Sequence, residues 1–320
     1  MSDKDNKTKY VLANSIDNVI KILSVNHNAK IIAGGTDIIP NYKQKNIQPD
    51  LFVDISSVSG LHQIYCDSNE IRIGACVKIS QIISHKEIQN NVKILSDAAK
   101  SIATPVIRKN ATIAGNLLCE NRCIFYNQSE WWRESIGKCL KCDGDICIAT
   151  GGKKNCFSKS SSDLAPSLIV CDAEISIQNT LGTKRIPLKE LYSGDGINPF
   201  NINQSDLITS IHIPITKRKY FYYKLRQRSS IDFSSLTIAV AYNTESHSIV
   251  TCIGSCDPQP VSWKFSLDNQ INFQDIIKQK VKKIRLVNND FYSRDYRKYV
   301  LIKKLEEIYI RIFHFEVQQN

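Results

Sequence analysis

Six of the eleven cysteines in this 320-residue chain fall between residues 119 and 156: Cys119, Cys123, Cys139, Cys142, Cys147 and Cys156. Thiolate sulfur satisfies zinc or the iron of an iron–sulfur cluster, so thiols crowded into one segment form the donor set of a soft metal centre. A disulfide scaffold is the competing chemistry. A chain this long buries a sizeable core without covalent staples. The sequence opens MSDKDNKTKY, without an apolar leader, and no stretch approaches the roughly 18 apolar residues of a membrane span. A reducing, cytoplasmic setting is expected, and there a thiol cluster binds metal or does chemistry more often than it cross-links.

Two glycine-bearing segments form a second kind of candidate. AGGTD, Ala33–Asp37, follows an apolar run. Paired glycines allow close backbone approach and positive φ, and successive free N–H groups make a concavity suited to a diphosphate. TIAGN, Thr112–Asn116, sets a glycine beside a hydroxyl and an amide. Either could be an ordinary turn. Neither is GxGxxG, which argues against a simple nicotinamide-dinucleotide domain. His62, His85, His212, His247 and His314 are scattered, with no HExxH or His-x-His spacing, and read as surface or core residues.

The elements that must position these groups follow from periodicity. Asn14 and Ser15 precede SIDNVIKILSVN, whose apolar residues recur at helical spacing. The runs AKIIAGG and LFVDIS complete a β–α–β rhythm. A strand IRIGACV and helices VKISQIISHKEI and VKILSDAAKSI come next. The cysteine-rich stretch has little periodicity. Beyond it lie strands AEISIQN, KRIPLKEL and DLITSIHIPI, then a boundary at Pro214 and the basic run 217–219. FYYKLRQR, LTIAVAYN and SIVTCIGS read as three antiparallel strands, followed by helices around 273–284 and 293–313. From Lys217 onward there are 18 Lys and Arg against 10 Asp and Glu, a net +8 of the total +11. The basic residues interleave with apolar ones and match no nucleic-acid motif, so a solvated face or a surface for an acidic protein partner is expected. Lys280, Lys282 and Lys283 are the candidates for such steering.

Taken in order, IIAGGTDIIP (31–40), SIATPVIRKNATIAGNLLC (101–119), SSDLAPSLIVCDAEI (161–175), DLITSIHIP (206–214) and KLRQRSSIDF (224–233) resemble the FAD-binding subunits of the xanthine oxidase (molybdenum hydroxylase) family. The resemblance runs from about residue 10 to beyond 300. It implies an α+β fold: a two-lobed FAD-binding domain over 1–215, and a C-terminal α+β domain over 216–320 with a three-stranded antiparallel sheet and helices. It implies that Lys30, Ile31, Ile32, Ala33, Gly34, Gly35, Thr36 and Asp37, with Thr112, Ile113, Ala114, Gly115 and Asn116, hold the diphosphate and ribityl chain of FAD. Ile102 would lie beside the flavin, and Asp163 and Lys224 would tune it. Asp163 also fits a plainer role, capping a helix that starts at Leu164.

Residues 120–160 are an insertion relative to most of that family. They resemble the 4-hydroxybenzoyl-CoA reductase branch, whose flavoprotein subunit carries a [4Fe–4S] cluster there. That likeness implies Cys123, Cys139, Cys147 and Cys156 as ligands, separated by 16, 8 and 9 positions, with Cys142 and Cys119 spare. Zinc remains the alternative metal, although these spacings lack its CxxC knuckles. Trp131 and Trp132 could shield a cluster or simply pack. The resemblance further implies an electron-transfer subunit that works with a molybdenum-cofactor subunit, a [2Fe–2S] subunit and ferredoxin as donor. The complex would remove the hydroxyl from 4-hydroxybenzoyl-CoA. Two other readings stand beside it: the flavoprotein subunit of another molybdenum hydroxylase, for a different aromatic or N-heterocyclic substrate, and a zinc-stabilised binding protein without redox function.

Overall fold

A computed structural model describes residues 8–267 and 272–317. The β–α–β rhythm at the start is realised as a small parallel sheet. Strand β1 (Lys9–Leu12), helix α1 (Ile16–Val25), β2 (Ala29–Ile32), α2 (Ile38–Lys43) and β3 (Leu51–Asp54) give the strand order β1-β3-β2. Ser15 caps α1 by accepting a hydrogen bond from the Asn18 N–H, and Val19, Ile20 and Leu23 form its buried stripe.

The second sheet is antiparallel. It contains β4 (Ile64–Cys66), β5 (Glu70–Gly74), β6 (Glu174–Asn179), β7 (Gly182–Pro187) and β8 (Leu207–Pro214) in the order β4-β5-β8-β6-β7. Between β5 and β6 the chain forms α3 (Ile79–Ser84), α4 (Lys86–Asn91), α5 (Lys93–Lys100), α6 (Pro105–Arg108), α7 (Ile113–Leu117), α8 (Glu130–Ile136) and α9 (Ala165–Ile169). The segment expected as one helix, VKISQIISHKEI, is two, because His85 takes an extended ψ of 118° between α3 and α4. KRIPLKEL is strand only as far as Pro187, after which Leu188–Leu191 turn into a 3-10 helix. The cysteine-rich stretch does hold a helix, α8, capped by Ser129.

The C-terminal sheet has four strands, where three were expected. They are β9 (Arg218–Leu225), β10 (Leu236–Asn243), β11 (Ser248–Gly254) and β12 (Val261–Ser266), in the order β12-β11-β10-β9. The missed strand is an edge strand of which only Trp263 is buried, so its apolar signal is weak. Helices α10 (Phe273–Val281) and α11 (Arg294–Val317) cover one face. Lys282 and Lys283 are exposed just beyond α10, and Lys280 is half-buried at its end.

β10 shows why this sheet joins the rest of the molecule. Leu236, Ile238, Val240 and Tyr242 point into a core shared with α10 and α11, while Ala239 and Ala241 point into the core of the N-terminal part. A strand covered on both faces reads as a continuous apolar run, as LTIAVAYN does. The small side chains on the second face admit α9. Gly254 allows the closest contact, since a Cβ there would lie 2.6 Å from the Pro166 ring. Among the described residues no helix is long and apolar enough to cross a membrane.

Candidate functional site

The AGGTD loop leaves β2 and enters α2. Gly35 has a φ of +69°, the left-handed region that favours glycine. Gly34 has a different constraint: a Cβ there would lie 2.7 Å from the carbonyl carbon of Asn110, two residues before Thr112. The two glycine-bearing segments are therefore in backbone contact. The close approach at Gly34 is to the protein's own main chain. Among the described residues, the amides of Gly34, Gly35 and Thr36 have no protein acceptor. Three consecutive free donors on a turn are what an anionic diphosphate requires, so the loop fits the FAD role.

TIAGN is built differently. Thr112 is 2% exposed, and its hydroxyl accepts from the Gly115 N–H at 3.2 Å, capping α7. The amides of Ile113 and Ala114 donate to the carbonyls of Val77 and Ala75. The Asn116 Oδ1 accepts from the Ser162 hydroxyl at 2.9 Å and the Leu164 N–H at 3.1 Å. This segment thus clamps the SSDLAP turn in place, and only Gly115 is exposed. Lys30 is exposed on β2, while Ile31 and Ile32 are half-buried.

Asp163 does not cap α9. That hydrogen bond comes from Ser162, whose Oγ accepts from the Ala165 N–H at 3.0 Å. Asp163 instead accepts from Lys224 Nζ at 2.8 Å and from the Ser234 hydroxyl at 2.6 Å. The side chains of Lys224 and Asp163 are 4% and 6% exposed. Lys224 Nζ also donates to the Ser101 carbonyl at 3.1 Å, as does Arg226 at 3.1 Å. Ile102 is thereby held beside the pair, and the next residue, Ala103, takes a φ of +39°. Positive φ at alanine is strained and persists only where the surroundings enforce it. Tyr222 donates or accepts at the Ser101 hydroxyl, and its own pKa is pushed far up by burial and by the nearby Asp163 charge. The structure thus brings Ile102, Asp163 and Lys224 together, although they are far apart in sequence.

The cysteine-rich insertion is closed at its base by an antiparallel bridge between Arg122 and Lys159. Arg122 reaches out to form an ion pair with Asp37 and stacks 4.6 Å over the ring of Phe233. Lys159 is buried and pairs with Asp290, also donating to the Ser234 carbonyl at 2.5 Å. One end of the insertion therefore holds the AGGTD loop and the other holds Ser234 and Asp290.

Inside the insertion, Cys123, Cys139, Cys147 and Cys156 line one small cavity. Phe125, Tyr126, Leu140, Lys141, Phe157 and Ser158 share its walls, whereas Cys119 and Cys142 do not. Burial pushes the Cys123 thiol up to about 11, and neighbouring Cys156 and Cys139 add to the shift. Cys139 is raised by burial and by Cys156, Cys142 and Cys147. As they stand, no group of three or more His, Cys, Asp or Glu among the described residues is drawn in tightly enough to grip a metal ion. Trp131 does not shield the cavity, being 74% exposed, and Trp132 is also absent from the lining. Cys119 sits instead beside Asp37 and Arg122, its thiol pushed far up by burial.

Three residues of this region were not singled out from sequence. Gly196 packs behind two of the wall residues, since a Cβ there would lie 2.7 Å from Cys156 Sγ and 2.5 Å from Ser158 Oγ. Lys141 and Arg122 supply buried cations. The one sequence signal was their adjacency to the cysteines, and for Gly196 the turn-like SGDG.

Residues 6–216, more than half of the chain, match the family profile of the FAD binding domain in molybdopterin dehydrogenase, and the chain belongs to that family. Relatives include the alpha subunit of the 6-hydroxypseudooxynicotine dehydrogenase complex of Paenarthrobacter nicotinovorans, 29% identical over 64% of this chain and 56% of the relative. The aldehyde oxidoreductase FAD-binding subunit PaoB of Escherichia coli (strain K12) is 28% identical over 66% of this chain and 70% of that one. The chain thus spans just over half the length of the first of these. Among solved structures, quinoline 2-oxidoreductase of Pseudomonas putida 86 shares the fold with a TM-score of 0.72 at 15% identity, over 95% of both chains. Carbon monoxide dehydrogenase of Hydrogenophaga pseudoflava gives 0.73 at 18%, over 93% of this chain and 94% of that one.

Proposed function

We propose that this chain is the FAD- and [4Fe–4S]-carrying electron-transfer subunit of a molybdenum-dependent oxidoreductase complex. One observation carries the cluster: four cysteines separated by up to 33 positions in sequence line a single cavity. A mononuclear zinc site draws its sulfurs to about 2.3 Å from one point. A four-iron cluster holds its thiolates around a cube, and so suits donors that surround a space. In this reading the four thiols that line one cavity are the donors of the cluster, and zinc is the alternative metal.

A bound flavin exchanges electrons singly or in pairs, and a thiolate-held cluster exchanges them singly. The residues of this chain supply the holding. Gly34, Gly35 and Thr36 offer free amides to the diphosphate. In this reading Ile102 would lie beside the ring system and the Asp163–Lys224 pair would tune it. Arg122, the residue preceding Cys123, ties the insertion to the AGGTD loop through its ion pair with Asp37. The insertion 120–160 belongs to the FAD domain in this reading, with the boundary to the C-terminal domain near 215, where β8 ends.

Partners in the reading are a molybdenum-cofactor subunit, a [2Fe–2S] subunit and ferredoxin. The insertion supports dehydroxylation of 4-hydroxybenzoyl-CoA by the complex. Relatives whose names refer to nicotinate and nicotine support an N-heterocyclic substrate instead. Anaerobic purification decides the cofactors: yellow-brown protein with FAD, iron and acid-labile sulfide is expected, and colourless protein with zinc would overturn the reading. Activity of the reconstituted complex toward 4-hydroxybenzoyl-CoA and toward N-heterocycles separates the substrates.

A further inference from the structure

Among the residues lining the four-cysteine cavity, Lys141 is the one that carries a fixed positive charge. Its side chain is 5% exposed. Its ammonium donates to Glu120 and, at 2.6 Å, to the carbonyl of Gly196. It also lies 5.2 Å over the ring of Tyr126, another wall residue. Gly196 in turn touches Cys156, whose carbonyl accepts from the Gly196 N–H at 3.2 Å. The cation is thus fixed from three sides at the edge of the thiols. A lysine taken out of water normally needs compensation for lost hydration. Glu120 gives part of it, but that carboxylate is 30% exposed and partly screened by solvent. Lys141 itself is one of the residues that line the cavity.

We propose that Lys141 is an electrostatic tuning residue that raises the reduction potential of the cluster held by Cys123, Cys139, Cys147 and Cys156. This rests on the [4Fe–4S] reading above. One electron taken from a low-potential iron–sulfur donor adds one unit of negative charge inside the cavity, with no proton required. A fixed cation in the cavity wall stabilises that added charge, and the low local dielectric strengthens the effect. Glu120 works in the opposite sense by partly neutralising the cation. The pair therefore predicts two shifts of opposite sign, which a purely structural role for Lys141 would not produce.

The test is redox titration of the anaerobically purified complex, followed by the electron paramagnetic resonance of the reduced cluster. Variants are Lys141→Gln, Lys141→Arg and Glu120→Gln, each with iron, sulfide and flavin counted. Lys141→Gln is expected to weaken reduction by about tenfold, which is about 59 mV to the negative for one electron. Lys141→Arg is expected to stay near wild type, and Glu120→Gln to move positive. The FAD potential is expected to stay in place in all three. If Lys141→Gln loses its cluster, Glu120→Gln carries the test alone: a positive shift supports the proposal and none overturns it. Unchanged potentials in intact variants overturn the role of Lys141 while leaving the cluster standing. A wild-type complex whose flavoprotein subunit lacks iron overturns the cluster reading itself, and this proposal with it.

Discussion

Gly34 packs directly on the main chain of Asn110, so closely that a Cβ on Gly34 would lie 2.7 Å from the Asn110 carbonyl carbon and 3.2 Å from Ala111 Cα. The contact joins the two glycine-bearing segments, and Lys78 Nζ reinforces it by donating to the Asn110 carbonyl at 3.1 Å. Neither backbone can yield without moving its element. Gly34→Ala is therefore expected to separate the loops, with a stability loss of about 1–3 kcal/mol from overpacking and a fall in bound FAD. Thermal unfolding and flavin content measure both. Full flavin retention at unchanged stability would show that the contact relaxes freely.

Gly35 tests the loop without that contact, because the nearest atoms to a Cβ there are Ile39 Cγ1 and Ile32 Cδ1 at 3.4 and 3.5 Å. Its φ of +69° is strained for a β-branched residue. Gly35→Val is expected to lose flavin while keeping iron. A variant with its full complement of FAD removes this loop from the flavin site.

Serine replacement separates ligands from bystanders. Ser at Cys123, Cys139, Cys147 or Cys156 is expected to degrade the iron and sulfide content, since a hydroxyl is a poor substitute for thiolate. Cys119→Ser and Cys142→Ser should leave it nearly intact, because neither residue lines the cavity. Loss in Cys142→Ser with retention in Cys139→Ser would sink the ligand set. Gly196→Ala belongs to the same series: its methyl group would enter the space of Cys156 Sγ, so it should lose iron without removing any thiol.

The Asp163–Lys224 pair predicts an asymmetry. Removing one member strands a buried charge, so Asp163→Ala should cost about 3–5 kcal/mol. Replacing both, as Asp163→Leu with Lys224→Met, should recover much of that stability without restoring the flavin's ordinary spectrum. Denaturant midpoints and the flavin absorption band provide the two readouts. Equal destabilisation by the single and double variants would argue against charge stranding.

Asp290 sets an acid limit. Burial alone would raise its pKa, but the charge and hydrogen bond of Lys159, with hydrogen bonds from Ser235 and the Tyr292 N–H, hold it below the ordinary carboxylate value. A lowered native pKa stabilises the fold above the unfolded value, near about 4, and that contribution disappears as pH falls through the native value. Asp290→Asn should therefore be less stable than wild type at neutral pH, and the two should converge as pH falls below about 4. Parallel stability curves down to low pH would dismiss the mechanism.

The cysteine cluster, the two glycine loops and most strands were legible in the amino-acid sequence because each has a local cause. Ser15 caps α1 by its own hydroxyl, LTIAVAYN is continuous because both faces of β10 are covered, and Gly35 carries the positive φ its turn needs. The sequence also pointed to a flavin fold through five ordered segments. What it could not determine were relations that depend on distant backbone. Val261–Ser266 was missed because an edge strand burying only Trp263 has almost no periodic signal. Asp163 had two readings, a residue tuning the flavin and a helix cap, and only the fold shows that β9 and the segment before β10 bring Lys224 and Ser234 to it. Gly34 lies against Asn110, 76 positions on, and no local pattern shows that contact. The cavity itself is the clearest case. Spacing alone leaves Cys142 as eligible as Cys139, and only the tertiary structure shows that Cys139 lines the cavity with Cys123, Cys147 and Cys156 while Cys142 does not.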